Sequence, residues 1–154
     1  MSIEFDYVVV GAGSGGCPVA NRLSENPANR VLLLEAGPMD HNLWIHIPIG
    51  YYRNMISPLS WGYNTEPDPA TGNRSILWPR GRVIGGSSAI NGLVYIRGQR
   101  EDYDHWRQLG NEGWGYSDVL PYFRKAENQE RGSNEYHGGN GPINVSNIRD
   151  RREI

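Results

Sequence analysis

Cysteine is almost missing from this sequence: Cys17 stands alone among 154 residues. One thiol makes neither an internal disulfide nor a cysteine-built metal cluster. An excess of positive charge is missing too, with 15 Lys and Arg against 17 Asp and Glu and a net charge of −2, so no broad basic face is offered to nucleic acid. No apolar run reaches the roughly 18 residues of a membrane-spanning helix. The opening MSIEFDYVVVGAG carries acid where a secretory signal carries base. These absences predict a cytoplasmic protein with no transmembrane segment and no nucleic-acid partner. Repeats of 20 to 50 residues and a glycine triplet period are also absent, which removes solenoids, propellers and collagen. Length alone suggests one domain.

Glycine is what the chain has in excess, 20 residues, near twice the usual share of about 7%. Eleven of them fall in three groups, at 11, 13, 15 and 16, at 81, 85, 86 and 92, and at 138, 139 and 141.

Phe5 to Val10 reads FDYVVV, a run suited to a strand buried on both faces. From Ser14 to about Glu25, Val19, Ala20 and Leu23 recur at helical spacing, with Pro18 in the first turn. Arg30 to Leu34, RVLLL, reads as a second buried strand, and the three elements make a right-handed βαβ unit. Residues 39 to 60 suit an irregular apolar excursion with one short helix. Tyr63 to Glu66 and Arg74 to Trp78 read as two short strands around a turn. Glu101 to Leu109 and Ser117 to Glu127 read as helices, the second with Val119, Leu120, Phe123 and Ala126 on one face. Residues 127 to 142 read as a surface loop or linker, Ile143 to Ser146 as a strand, and the last six residues as a polar run.

Gly11-Ala12-Gly13-Ser14-Gly15-Gly16 contains G-x-G-x-x-G between a predicted strand and a predicted helix. In that setting Gly11 permits the tight turn, Gly13 lets backbone approach a pyrophosphate, and Gly16 lets helix pack closely on strand. Phosphate then meets free N–H groups at the positive end of the helix dipole. Glu35 ends the second strand, where a carboxylate accepts hydrogen bonds from ribose hydroxyls and repels a 2′-phosphate, which disfavours NADP. NAD and FAD share this half of the motif. Cys17 reads as a small packing residue.

Gly85-Gly86-Ser87-Ser88 before Ala89-Ile90 has the form of a backbone nest opening a helix, a second anion-binding geometry. Two such sites suit one long cofactor with a central pyrophosphate better than two ligands. His41, His46, His105 and His137 show no metal-ligand spacing and read as surface or structural histidines. No metal site is expected.

The string GRVIGGSSAIN at 81 to 91, with Tyr95, Gly98 and Asp104 at their spacings, resembles the first signature of the glucose–methanol–choline (GMC) oxidoreductases, a flavoprotein family. GAGSGG at 11 to 16, LLLEAGP at 32 to 38, Trp61-Gly62-Tyr63, Glu66-Pro67, Trp114-Gly115-Tyr116, LPYFRKAE at 120 to 127 and HGGNGPINVS at 137 to 146 match the same family in order. The opening residues and VYIRGQREDYDHW are similar to the bacterial branch that includes choline and aliphatic alcohol dehydrogenases.

The resemblance implies an α/β fold: a Rossmann-like FAD-binding βαβ unit with an added hairpin and helices, an incomplete parallel sheet, and the start of an α+β substrate domain. Residues 1–126 would belong to the FAD-binding domain and 127–154 to a linker and the beginning of the substrate domain. FAD would lie extended, with Gly11, Ala12, Gly13, Ser14 and Gly15 near the pyrophosphate, and Glu35 and Ala36 at the adenosine. Arg82, Val83, Gly85, Gly86 and Ser87 would line the pyrophosphate and ribityl region, and Asn91, Gly92, Leu93 and Val94 would run along the isoalloxazine. Trp61 and Tyr95 are expected near the flavin. Some relatives attach the flavin through a histidine in the second stretch; here position 90 is Ile and no histidine lies between 81 and 104, so the FAD is expected to be non-covalent.

The family's reaction is oxidation of an alcohol, here of the primary-alcohol class, by hydride transfer to flavin N5. Its base is a histidine paired with a second histidine or an asparagine, expected beyond residue 154, and no catalytic residue is assigned. The missing sheet strands and the chemistry are expected from the remainder of the polypeptide. Oxygen, a quinone or another compound remains open as electron acceptor; a quinone would bring peripheral contact with the inner membrane. Two other readings stay open: an NAD-dependent dehydrogenase, which leaves the second glycine group unexplained, and a non-catalytic nucleotide-binding fragment completed by another chain.

Overall fold

A computed structural model describes residues 3–149, so the polar carboxy-terminal run and the end of the expected substrate-domain start lie largely outside the described residues. The chain forms two compact units that divide after Val94.

The first unit is built on a βαβ core. Strand β1 (Tyr7–Val10) pairs in parallel with β2 (Val31–Leu34), in the register Tyr7 with Val31 to Val10 with Leu34. Helix α1 (Gly16–Ser24) makes the crossover, two residues shorter at its start than the spacing predicts. Pro18 does sit in its first turn, where a missing N–H costs nothing. Close packing of helix on strand needs Gly16, because a Cβ there would run into the Gly11 carbonyl and Val9. Gly11 makes the turn with φ +95°, a conformation that disfavours any Cβ.

The expectation that both strands are buried on two faces is corrected. Val10 is 81% exposed and Val8, Tyr7, Leu33 and Leu34 are exposed as well. Among the described residues this sheet has two strands, so no further layer covers their side chains.

Residues 39 to 60 hold more helix than predicted: α2 (Leu43–His46), a 3-10 turn at Pro48–Gly50 and α3 (Tyr51–Met55). Asn42 caps α2 by accepting from the Trp44 N–H, and the buried Asn54 amide donates to the Trp44 carbonyl at 2.9 Å. The hairpin forms but is looser than two strands. Isolated antiparallel bridges join Ser60 to Gly81, Asn64 to Leu77 and Asp68 to Arg74, and Gly72 and Asn73 turn the chain in left-handed conformations. Leu59, Val83 and Ile90 form the small buried core that fixes the foot of this hairpin.

In the second unit, α4 (Arg100–Gln108) and α5 (Tyr116–Ala126) pack around Tyr103, whose ring meets Trp106, Tyr116 and Phe123 at centroid distances of 5.4 to 6.1 Å. Val119, Leu120, Phe123 and Ala126 are the half-buried face of α5, as their spacing predicts. Strands β3 (Glu127–Gln129) and β4 (Ile143–Val145) then pair in parallel.

The surface-loop expectation for 127 to 142 is therefore corrected at its start. Glu127 is fully buried, and its carboxylate accepts from the Gln129 side chain at 3.0 Å, lies 2.8 Å from His137 Nδ1 and pairs with Arg97. Burial alone would raise the Glu127 pKa; the His137 hydrogen bond, the Arg97 charge and the Gln129 amide outweigh it and hold the carboxyl below its ordinary value. Polar residues fill this interior because the Glu127 carboxylate is shared by Arg97, His137 and Gln129, although Arg97 Nε and Gln129 Oε1 are buried without a partner.

Candidate functional site

Strand β1 delivers the chain into the first glycine turn with its helix start facing open space. Among the described residues the N–H groups of Gly13, Ser14 and Gly15, the N-cap of α1 and the two residues before it, meet no acceptor. Ala12 behaves differently. Its side chain is fully buried and its peptide is held on both sides, the N–H by Glu35 Oε2 at 2.8 Å and the carbonyl by the Gly85 N–H at 2.7 Å and the Cys17 thiol at 3.2 Å. Cys17 is thus a packing residue with a weak hydrogen bond, half-buried against the turn.

The second glycine turn folds onto the first. Gly85 and Gly86 take φ +92° and +58° and lead into a 3-10 turn, Gly86–Ala89, rather than a longer helix. Ser87 Oγ accepts from the Gly81 N–H at 3.1 Å, and Ser88 Oγ donates to the Gly85 carbonyl at 2.6 Å, which closes the loop on itself. A Cβ on Gly86 would sit 2.8 Å from the Gly13 Cα, so the two turns touch backbone to backbone. Gly37, just after Glu35, packs equally closely on the Arg82 carbonyl.

Between the turns lies one cleft of about 690 Å³, lined by Gly11, Gly13, Ser14, Glu35, Ala36, Trp61, Gly86 and Ser87, all anticipated from sequence, and by Val10, Leu34, Arg80 and Gly81, which were not. The second set had a signal. Val10 and Leu34 are the last residues of paired strands, and Arg80-Gly81 stands opposite Ser60-Trp61 in the hairpin register. Arg82 lies over the Trp61 ring at 5.4 Å, and Trp61 stacks on Tyr63 at 6.0 Å.

Other anticipated residues stand beside the cleft rather than in its lining. Ala12 supports the first turn from beneath, Gly15 caps α1, Val83 is in the core and Gly85 joins the turns. Asn91 and Gly92 continue the loop to Leu93 and Val94, which are exposed. Asn91 Oδ1 accepts from the Leu93 N–H at 3.0 Å, and Leu93 takes φ +59°. Tyr95 begins the second unit. Among the described residues no group of three His, Cys, Asp or Glu could hold a metal ion, and no helix is long and apolar enough to cross a membrane.

The structure joins the two glycine turns through the Ala12 carbonyl and the Gly85 N–H, and residues 5–153 match the family described as GMC oxidoreductase. The chain belongs to the GMC oxidoreductase family. It is 52% identical over 151 residues to mitochondrial choline dehydrogenase of Mus musculus, covering 93% of this chain and 25% of that protein. It is 47% identical over 148 residues to an alcohol dehydrogenase [acceptor] of Pseudomonas putida, covering 95% and 27%. Among solved structures, pyridoxine 4-oxidase from Mesorbium loti superposes with a TM-score of 0.85 at 38% identity, over 92% of this chain and 28% of that one. A formate oxidase from Aspergillus oryzae superposes with a TM-score of 0.79 at 32% identity, over 92% and 26%. The chain thus spans about a quarter of the length of the relatives it matches.

Proposed function

We propose that this chain is the FAD-binding part of a GMC oxidoreductase that converts a primary alcohol to an aldehyde. The single observation that carries the reading is the joining of the two glycine turns, through Ala12 and Gly85, around one cleft of about 690 Å³. One elongated dinucleotide fits that arrangement better than a nicotinamide cofactor confined to the first turn.

In this reading the free N–H groups of Gly13, Ser14 and Gly15 receive the pyrophosphate at the start of α1, where the helix dipole favours negative charge. Gly11 and Gly13 leave their backbone bare at the cleft, and Gly86 lets the second turn pack directly on the first. Glu35 accepts from the adenosine ribose hydroxyls with the lone pairs that its backbone bonds leave over, and Ala36 lies beside it. Arg82, Val83, Gly85 and Ser87 shape the ribityl side, Val83 through its main chain because its side chain is in the core. Asn91, Gly92, Leu93 and Val94 present an exposed apolar edge for the isoalloxazine, with Trp61 at the cleft wall. Bound FAD would supply the hydride acceptor for the alcohol carbon. The protein's part here is binding and orientation, and no residue of this chain is assigned as the base that takes the hydroxyl proton. The absence of histidine between 81 and 104 supports non-covalent attachment. Residues 1–126 are assigned to the FAD domain and 127–154 to the approach to the substrate domain.

The test is anaerobic addition of primary alcohols to the purified full-length protein. Flavin bands near about 370 and 450 nm, which belong to the oxidised cofactor, should be present and should bleach. A protein that carries no flavin and binds NAD tightly would contradict the reading, and flavin that no alcohol bleaches would leave only a binding role.

A further inference from the structure

Glu35 does more than end β2 beside the cleft. Its two carboxylate oxygens are each engaged by backbone before any ligand is considered, Oε2 by the Ala12 N–H at 2.8 Å and Oε1 by the Gly37 N–H at 2.9 Å. Those two amides belong to different segments of the chain. Ala12 is the buried residue of the first glycine turn, between the cleft-lining Gly11 and Gly13. Gly37 packs on the Arg82 and Val83 backbone at the start of the second turn. The second turn then returns to the first through the Gly85 N–H and the Ala12 carbonyl. The contacts form a closed circuit from Ala12 through Glu35, Gly37, Arg82 and Gly85 back to Ala12.

We propose that Glu35 is a positioning residue for the pyrophosphate cradle, separate from any contact it makes with ribose. The proposal rests on the FAD reading above and gives the carboxylate a second role, that of holding the Ala12 peptide so that the cleft-lining Gly13 and Ser14 keep their free amides in place before ligand arrives. A loop that is already ordered loses less conformational freedom on binding, so the pinned turn binds anions more tightly than a free one. The peptide of Ala12 has no other partner for its N–H among the described residues. Without the carboxylate, that buried donor would be left unsatisfied or the turn would rotate to find water.

The roles separate because ribose contact requires hydroxyls and cradle positioning requires phosphates. The experiment measures binding of ADP, 2′,3′-dideoxy-ADP and 2′,3′-dideoxyadenosine to the flavin-stripped full chain, by calorimetry or ligand-observed NMR, for the parent and for Glu35→Gln. The glutamine oxygen can accept from one amide, while its NH₂ group opposes the other donor. Losing one charge-assisted bond should weaken 2′,3′-dideoxy-ADP about tenfold, weaken ADP by more, and leave 2′,3′-dideoxyadenosine unchanged. Glu35→Ala, measured the same way, should show the same ranking with larger losses and serves if the glutamine variant does not fold. Equal binding of 2′,3′-dideoxy-ADP by parent and variant would confine Glu35 to the ribose and overturn the proposal. Equal losses for 2′,3′-dideoxy-ADP and 2′,3′-dideoxyadenosine would show general loosening and overturn it too. A parent chain that binds neither ADP nor FAD would instead remove the FAD reading itself, and the cradle with it.

Discussion

The Gly85 N–H donates to the Ala12 carbonyl oxygen over 2.7 Å, and this bond joins two glycine turns that lie far apart in the chain. Neither turn alone specifies a flavin. Together they line one cleft, which Glu35 and Trp61 also line. The close approach of Gly13 and Gly86 follows from that bond.

Gly86→Ala and Gly13→Ala should fail in different ways. At Gly86 the added Cβ meets the Gly13 Cα at 2.8 Å in a φ +58° conformation, so the fold itself should lose about 1 to 3 kcal/mol. At Gly13 the nearest atom is the Gly86 Cα at 3.8 Å, an ordinary contact. Urea unfolding of the Gly13→Ala chain should shift by less than about 1 kcal/mol, while FAD affinity falls at least about tenfold because the methyl intrudes on the cleft. Equal stability losses in the two variants would contradict the geometry.

Gly16→Ala probes the helix–strand contact. A Cβ there runs into the Gly11 carbonyl oxygen and lies 3.3 Å from Val9 Cγ1, and backbone cannot yield as a flexible side chain does. Urea denaturation should show a loss of at least about 2 kcal/mol. An unchanged midpoint would mean that α1 does not sit on β1 as described.

The parts legible in the sequence were those set by near neighbours. FDYVVV, the glycine turn and RVLLL fixed the βαβ unit because strand period, turn chemistry and helix spacing are all local. Helix ends moved by one or two residues, the usual scatter. What escaped was decided at long range. Glu127 opens a polar stretch that reads as a surface loop, and its burial depends on His137, ten residues later, and on Arg97, 30 residues earlier in the chain. Val8 and Val10 read as buried because β-branched runs favour sheet interiors, yet burial depends on what packs above the sheet. The two hydrogen bonds that Glu35 accepts from Ala12 and Gly37 could not be read from spacing, since spacing gives a carboxylate its place and not its partners.

Acid should weaken the second unit through Glu127. Its folded pKa is held below the ordinary value of 4.5, so its contribution is fully present above that value and is lost as pH falls through the folded one. Urea midpoints followed from pH 7 downward should drop on the acid side in the parent. Glu127→Gln should be less stable at pH 7 by roughly 3 kcal/mol, because Arg97 is left facing an amide in a buried pocket. It should also depend less on pH below the carboxylate range. A variant with the parent's acid slope would place the titration elsewhere.

Flavin release gives a direct check of attachment. With Ile90 in the second stretch and no histidine from 81 to 104, acid precipitation of the full-length protein should leave the yellow cofactor in the supernatant and the pellet colourless. Flavin that stays in the pellet after washing in denaturant would show a covalent bond and contradict the non-covalent assignment.

The central claim is that two glycine turns make one cofactor site, and titration of the flavin-stripped full chain tests it most directly. FAD should bind with a stoichiometry of one per chain, ADP should compete with it, and saturation with FAD should abolish ADP binding altogether. A chain that binds FAD and ADP at the same time, each at its own turn, would contradict the account.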